Sequence, residues 1–293
     1  MTVVLLSDRT GEADCMGGPR FSVVIPAFNE ERFIAECLQS LARQDFAGAY
    51  EVIVVDNNCT DRTAEIARSC GATVVREETP GVCAARHRGT LSASGQIVVS
   101  TDADTVFGPG WLTGIDRSFR QGPGRVAVAG PCRYPEGPWW GKVYARILFE
   151  SVYLTYRVTG RVGYVTATNI AFRKDAWSGY DLTGTQGADE LGLLRQLRSR
   201  GKVAFDRGNP TLTSARRLAQ GLTYNVVVSF LYYYALAVTL NRLAGRTVIG
   251  TAPCFRTDKR WPAPRRYRTR LLAIGWLVAA AAATVLTDRL MDG

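Results

Sequence analysis

Two aspartates spaced two residues apart, Asp102 and Asp104, carry the strongest chemical signal in this sequence. They directly follow an apolar run, 97–100, that is typical of a buried strand. In an extended chain, side chains two residues apart point the same way, so both carboxylates can face one hard cation. Such a cation takes oxygen ligands and keeps coordination positions for substrate phosphates. The pair therefore predicts a metal site that stabilises a diphosphate leaving group as its bond breaks.

Polar residues also follow two earlier apolar runs. Asn29 and Glu30 come after the run at 22–25, and Asp56 comes directly after the run at 52–55. Glu30 and Asp61 precede helical patterns, where acids also serve as N-terminal caps, so capping is an alternative role for both. Asp56 lies at a strand end rather than on a helix, and its carboxylate can accept hydrogen bonds from a uracil or a ribose.

The elements that must position these residues alternate along the N-terminal part of the chain. Apolar runs predict strands at 22–25, 52–55, 73–75 and 97–100, and helical patterns are found at 30–44, 61–69 and 84–92. Continuous apolar strands alternating with helices predict an α/β fold with a mainly parallel sheet covered on both faces. In such sheets, ligands bind beyond the carboxyl ends of the strands, which is where the polar residues collect.

The second half of the sequence is less regular. A segment rich in Pro, Gly and Trp, 131–141, predicts a long loop. The pattern then predicts a helix at 142–158, a strand at 164–172, a helix at 186–200 and a last strand at 202–205.

Four motifs occur in an order and at spacings that resemble the family-2 glycosyltransferases. The resemblance covers about residues 21–205. It implies a GT-A fold, a nucleotide-diphosphosugar donor, Mg²⁺ or Mn²⁺ as cofactor, inversion at the anomeric carbon, and an enzyme of the hexosyltransferase class. The motifs are Val24-Ile25-Pro26-x-x-Asn29-Glu30, Val54-Val55-Asp56-x-x-x-x-Asp61-x-Thr63, Gly81-x-x-x-Ala85-Arg86 and Thr101-Asp102-Ala103-Asp104.

The resemblance also implies roles for individual residues. Arg86 is expected to approach the donor. Asp102 and Asp104 are expected to hold the ribose and the metal. The residues expected to line the nucleotide pocket are Pro26, Asn29, Glu30 and Asp56.

Inversion is a single displacement and needs one base that takes the acceptor proton. The family usually has a Glu-Asp pair at the start of a late helix, whereas this sequence has the reverse order, Asp189-Glu190. Counting back from Gly201, which resembles the glycine that closes the family helix, places Glu190 at the position of the base. Asp189 is an alternative base, and stabilising the helix N-terminus is a structural role open to both acids.

Processive relatives hold a growing polysaccharide with a Gln-x-x-Arg-Trp motif. This sequence has Arg260-Trp261, but position 257 is Thr and the setting is a basic linker. We therefore predict a non-processive enzyme.

Two other classes of protein compete with this interpretation. A nucleotidyltransferase has a similar sheet but needs a glycine-rich basic loop after the first strand, and residues 27–31 are acidic and lack glycine. A membrane-tethered scaffold would keep the fold without turnover. The intact acids at Asp102, Asp104 and Glu190 argue against such a loss of activity.

Charge and hydropathy indicate a membrane near the C-terminal end of the sequence. The formal net charge is +10, and residues 256–270 alone hold seven Lys or Arg and one acid. A nucleic-acid binder would spread basic and aromatic residues over its fold, so this distribution argues against a nucleic-acid partner. Two apolar stretches, 222–240 and 271–287, approach the length that spans a bilayer.

We predict that only 271–287 spans the membrane. Basic connectors stay cytoplasmic, and a second span would carry the catalytic domain outside, away from nucleotide-sugars. A buried or surface-lying helix is the alternative for 271–287, and 222–240 is expected to lie in the interface or pack on the domain. The protein would then be membrane-associated with a cytoplasmic catalytic domain, and its acceptor lipid-linked or membrane-proximal.

Seven scattered cysteines and a single histidine, His87, exclude a zinc site of the usual spacing and predict free thiols in a reducing compartment.

The resulting domain organisation has five parts. The parts are a flexible arm at 1–20, the GT-A catalytic domain at 21–215, an interfacial or packed hydrophobic helix region at 216–255, a basic juxtamembrane linker at 256–270 and a transmembrane helix at 271–287.

Overall fold

Ten strands in two sheets and six α-helices form the part of the chain that the computed structural model describes, residues 18–182 and 189–216 with 218 and 221. The strands are β1 (Phe21–Ala27), β2 (Tyr50–Asp56), β3 (Thr73–Arg76), β4 (Ile97–Ser100), β5 (Thr105–Phe107), β6 (Arg125–Ala129), β7 (Cys132–Arg133), β8 (Ile170–Arg173), β9 (Lys202–Phe205) and β10 (Thr211–Thr213). The helices are α1 (Ile34–Ala42), α2 (Thr63–Ser69), α3 (Val82–Ser92), α4 (Trp111–Arg120), α5 (Trp139–Thr159) and α6 (Asp189–Arg200).

The larger sheet has seven strands in the order β3-β2-β1-β4-β8-β6-β9. Strand β1 is parallel to β2 and β4, β2 is parallel to β3, and β6 is parallel to β9. Strand β8 runs antiparallel to both of its neighbours, β4 and β6. A second sheet has three strands in the order β5-β10-β7. The predicted α/β fold with a mainly parallel sheet is confirmed.

Both faces of the larger sheet are covered, because neighbouring residues of a central strand pack into opposite halves of the core. In β1, Val23 and Ile25 pack into the half that includes α1 and α4, and Val24 packs into the half that includes α3, α5 and α6. Gly89 lets α3 lie close to β1, since a Cβ atom there would stand 2.3 Å from a methyl group of Val24. This packing positions α3, the helix that carries Arg86.

Several elements differ from the sequence predictions. The helix predicted at 30–44 begins at Ile34, because the carbonyl of Glu30 accepts the N–H groups of Phe33 and Ile34 and forms a separate turn. The strand predicted at 164–172 is confined to β8, because the chain turns just before it, where the N–H of Asn169 bonds the carbonyl of Thr166. The loop predicted at 131–141 contains β7 and the first turn of α5.

The ends of the chain lie outside the described residues. These include the predicted arm up to residue 17, the apolar stretches 222–240 and 271–287, and the basic linker 256–270. Among the helices that the structure does describe, none is both long and apolar enough to cross a membrane. The C-terminal transmembrane helix therefore stays a prediction.

Candidate active site

The carboxyl ends of β1, β2 and β4 lie side by side because these strands are parallel. Ala27 at the end of β1 pairs with Asp56 at the end of β2, and Ser100 at the end of β4 pairs with Val24 of β1. The polar residues that follow the three strands therefore gather at one edge of the sheet, where ligands bind in this type of fold.

Side-chain hydrogen bonds join the turn after β1 to the turn after β2. The carboxamide of Asn29 donates to Oγ1 of Thr60 (3.1 Å) and accepts from the N–H of Thr60 (2.8 Å). Asn29 has a φ of 55°, in the left-handed region that asparagine enters more readily than most residues. Asp56 is half-buried and accepts the N–H of Cys59 at 2.8 Å, while Pro26 is half-buried within β1. These contacts fix the edge at which a nucleotide is expected to bind.

Asp102 is held in place by a buried arginine. Nη2 of Arg86 donates to Oδ1 of Asp102 at 2.6 Å, and Oγ1 of Thr168 donates to Oδ2 at 2.7 Å. Nη1 of Arg86 also donates to Oγ of Ser100 (2.6 Å) and to the carbonyl of Thr101 (3.1 Å). Arg86 thus ties α3 to the end of β4, and both oxygens of Asp102 have a fixed orientation.

Asp104 meets a different arginine, Arg216, which lies shortly after β10. Nε and Nη2 of Arg216 donate to Oδ2 of Asp104 at 3.2 and 2.7 Å, and Oγ1 of Thr213 donates to Oδ1 at 3.4 Å. Nη2 of Arg216 also donates to Oε1 of Glu30 at 2.9 Å. The guanidinium lies over the ring of Phe33, 4.5 Å from its centre. Arg216 therefore links the residues after β1 with those after β4.

The surroundings of Glu30 and Arg216 shift both of their pKa values upward. Burial raises the pKa of Glu30, Arg216 lowers it, and the carboxylates of Asp104 and Asp102 raise it further. Burial lowers the pKa of Arg216, but Asp104 and Glu30 outweigh burial and hold that pKa above its usual value. Oε2 of Glu30 is buried and has no hydrogen-bond partner in the described part of the chain. Two carboxylates thus share one guanidinium, and the three groups together carry a net negative formal charge.

These residues fit a divalent cation that substrate phosphates complete. Mg²⁺ is usually held by one or two carboxylates together with phosphates, and Asp102 and Asp104 supply that number. Glu30 adds a third carboxylate nearby, since it shares Nη2 of Arg216 with Asp104. In the described ranges, no group of three or more His, Cys, Asp or Glu side chains is arranged so that it could hold a metal ion. Two carboxylates, completed by substrate phosphates, are therefore the number that this site offers.

The two candidate bases open helix α6, which begins at Asp189. The side chain of Glu190 is partly buried, and that of Asp189 lies outside the described part. The choice between them stays open. His87, beside Arg86 on α3, has a structural environment, since its Nδ1 accepts the N–H of Tyr180 at 3.2 Å and its ring packs 5.2 Å from that of Trp177.

Sequence reasoning missed the residues that pair with the two aspartates, except for Arg86. Arg216 lies one residue past the predicted end of the catalytic domain, yet it bonds both Glu30 and Asp104. Thr168 and Thr213 were equally absent from the predictions. The one available signal is that Arg216 soon follows a short run of Thr and Leu, which is typical of a strand and would place it at another strand end.

The fold and the site together define the class of glycosyltransferases with a GT-A fold. The family model of Glycosyl transferase family 2 matches residues 22–179, more than half of the chain. The chain belongs to this family, as its motifs predict. This result favours sugar transfer over the nucleotidyltransferase alternative.

Curated relatives match shorter parts of the chain. An uncharacterised glycosyltransferase of Mycobacterium tuberculosis is 42% identical over 89 residues, 30% of this chain and 38% of the relative. Glycosyltransferase AglE of Haloferax volcanii is 34% identical over 127 residues, 41% of this chain and 42% of the relative. The chain thus spans about two fifths of the length of these relatives.

Solved structures match a larger part of the chain. Glucosyl-3-phosphoglycerate synthase of M. tuberculosis, in complex with phosphoglyceric acid, is 25% identical with a TM-score of 0.52, over 69% of this chain and 75% of that one. TarS of Staphylococcus aureus, in complex with UDP-GlcNAc, is 20% identical with a TM-score of 0.51, over 67% of this chain and 58% of that one. The likeness to TarS shows the fold alone.

Proposed function

We propose that the chain is an inverting, non-processive hexosyltransferase that moves a sugar from a nucleotide-diphosphosugar to a lipid-linked or membrane-proximal acceptor. One observation carries the donor half of this proposal. Two carboxylates follow β4 at the ligand-binding edge of the sheet. Asp102 is anchored by Arg86, and Asp104 faces the guanidinium of Arg216. That arrangement suits a ribose beside a diphosphate with its metal.

The side chains at this edge match the chemistry of a nucleotide-diphosphosugar. Asp56 and Asp102 offer carboxylate oxygens to the base and the ribose, and Asp104 is the proposed ligand of Mg²⁺ or Mn²⁺, with Asp102 as a second. A metal held by these residues would neutralise the charge that develops on the diphosphate oxygens as the sugar bond breaks. Arg86 orients Asp102 and keeps a positive charge close to the donor. The other residues proposed to line the nucleotide pocket are Pro26, Asn29 and Glu30.

The proposed base is Glu190 at the start of α6, with Asp189 as the alternative. It accepts the proton of the acceptor hydroxyl as that oxygen attacks the anomeric carbon. The diphosphate leaves from the opposite face of the sugar, so the configuration at that carbon inverts. One acid is sufficient for this single displacement.

The C-terminal part of the sequence supports a membrane-proximal acceptor. Residues 256–270 hold seven Lys or Arg, and the uncharged stretch 271–287 follows them. Each basic residue near an anionic leaflet contributes on the order of 1 kcal/mol to membrane binding. The structure with phosphoglyceric acid belongs to a related enzyme, so a soluble phosphorylated acceptor is the competing outcome.

The donor and the acceptor can be tested separately with the full chain. Donor hydrolysis is measured against a panel of nucleotide-sugars with and without Mn²⁺, and we expect metal-dependent release of the nucleoside diphosphate from one of them. A chain that binds no nucleotide-sugar, or that releases pyrophosphate from a nucleoside triphosphate in the presence of a sugar phosphate, would contradict glycosyl transfer.

The acceptor test uses a variant in which the seven basic residues at 256–270 are replaced by Gln. We expect donor hydrolysis to persist, while binding to anionic vesicles and transfer to membrane-extracted lipid both fall sharply. Phosphoglyceric acid is the soluble comparison. Efficient transfer to it by both proteins, without transfer to lipid, would contradict the membrane-proximal acceptor.

A further inference from the structure

Arg216 occupies the position between two acids where the proposed cation would act. Its guanidinium bonds Oδ2 of Asp104 twice, at 3.2 and 2.7 Å, and Oε1 of Glu30 once, at 2.9 Å. Both carboxylates come from the ligand-binding edge of the sheet, after β1 and β4. The two carboxylates and one guanidinium have a summed formal charge of −1, so the cluster still attracts a cation.

The guanidinium and a divalent cation are competitors for Asp104. A metal ion bonds a carboxylate oxygen at about 2.0–2.1 Å, and it would then lie close to the guanidinium on that same oxygen. Like charges at such a separation repel strongly in a partly buried site. Asp102 offers no similar exchange, because Arg86 is buried and bonds oxygens of Ser100 and Thr101 as well.

The side chain of Arg216 can also change its hydrogen-bond partners while it stays packed on the ring of Phe33. Its N–H makes one long hydrogen bond, 3.4 Å, to Oγ of Ser214, and its guanidinium lies over the ring of Phe33. A planar guanidinium binds the paired oxygens of a phosphate as well as those of a carboxylate. A diphosphate held at Asp104 by a metal would lie within reach of the same group.

We propose that Arg216 is the resident counter-ion of Glu30 and Asp104, that it yields Asp104 to a divalent cation, and that it then binds the donor diphosphate. Glu30 and Asp104 balance the two charges of the metal, and Arg216 contributes one positive charge to the diphosphate. The inference rests on the proposed function, because it needs a metal and a nucleoside diphosphate at this site. It assigns Arg216 a donor-binding role that couples metal loading to donor loading.

The test measures binding of Mn²⁺ alone and then of UDP at saturating Mn²⁺, by calorimetry on the full chain. Arg216→Gln removes the competing charge, so we expect Mn²⁺ alone to bind about tenfold tighter and UDP to bind about tenfold weaker. Arg216→Lys keeps the charge without the planar fork, so we expect Mn²⁺ affinity near wild type and UDP affinity between the other two. It serves as the second variant if Arg216→Gln does not fold.

Arg207→Gln is the matched control. Arg207 also bonds a glutamate at 2.9 Å, Glu150, and lies over an aromatic ring, that of Tyr153 at 5.3 Å. We expect it to change neither affinity. Unchanged or weaker Mn²⁺ binding in Arg216→Gln would overturn the competition, and unchanged UDP binding would overturn the diphosphate contact. A wild-type chain that binds no Mn²⁺ and no nucleoside diphosphate, whether its base is uracil, guanine, cytosine or thymine, would overturn the proposed function itself.

Discussion

The two aspartates that follow β4 each pair with an arginine, but the two pairs are built differently. Arg86 is 4% exposed in its side chain and its partner Asp102 is 25% exposed. Arg216 is 24% exposed and its partner Asp104 is 14% exposed. In the first pair the arginine is buried and is the less exposed member. In the second pair both members are partly exposed, and the aspartate is the less exposed one.

This difference supports a structural role for Arg86 and the exchangeable role that we propose for Arg216. Arg86 stands on a helix packed against β1. Besides Asp102 it donates to oxygens of Ser100, Thr101 and Ala167, so moving it would leave several buried oxygens without that donor. Among the described residues, the hydrogen bonds of the Arg216 guanidinium go to carboxylates, and a metal can satisfy those equally well. Two aspartates only two positions apart in sequence thus form ion pairs of different kinds, one held in place by its arginine and one open to exchange in our proposal.

The largest effect is expected from an acid that belongs to neither pair. Glu190→Gln should lower the transfer rate by about 10²–10⁴, the usual contribution of a general base. Both arginine–aspartate pairs stay intact, so UDP affinity and thermal stability should match wild type. Rates are measured by single-turnover transfer, and Asp189→Asn is the control with the smaller expected loss. A larger loss in Asp189→Asn would move the base to Asp189.

The next effect tests the exchangeable pair. Asp104→Asn should lower metal-dependent donor turnover by about 10²–10³, because a charged ligand at the developing diphosphate charge is lost. The unfolding free energy should change little, since Arg216 keeps Glu30 as a partner. Glu150→Gln, which removes an exposed partner of Arg207, is the control. Near-normal turnover in Asp104→Asn would exclude Asp104 as the metal ligand.

The smallest effect tests the fixed pair. Arg86→Met should lower the unfolding free energy by about 3 kcal/mol, because it leaves Asp102 without its buried counter-charge. Arg216→Gln should cost clearly less, since Arg216 is more exposed. Urea denaturation of both variants gives the ranking. Equal losses in the two variants would remove the distinction between the pairs.

The fold of the N-terminal half could be predicted from sequence because its signals are local. Strands β1, β2 and β4 are short apolar runs, and the polar residues at their ends are visible beside them. The pairing of β8 between β4 and β6 has no such local signal, nor does the contact between Arg216 and Asp104, which lie 112 positions apart. Glu30 follows β1 closely in sequence, so its position after that strand could be predicted, but its partner Arg216 depends on tertiary structure alone.

The place of β8 in the larger sheet has a consequence for protein synthesis. Strand β4 ends at Ser100, but the strand that covers its free edge begins only at Ile170. A ribosome adds about 5–20 residues per second, so the nascent chain carries this open edge for roughly 4–14 s. An unpaired strand edge is a template for pairing with other chains. We therefore expect fragments that end before residue 170 to aggregate. We also expect a higher yield of soluble protein when synonymous codons speed translation of residues 101–169, because the edge of β4 is then open for a shorter time.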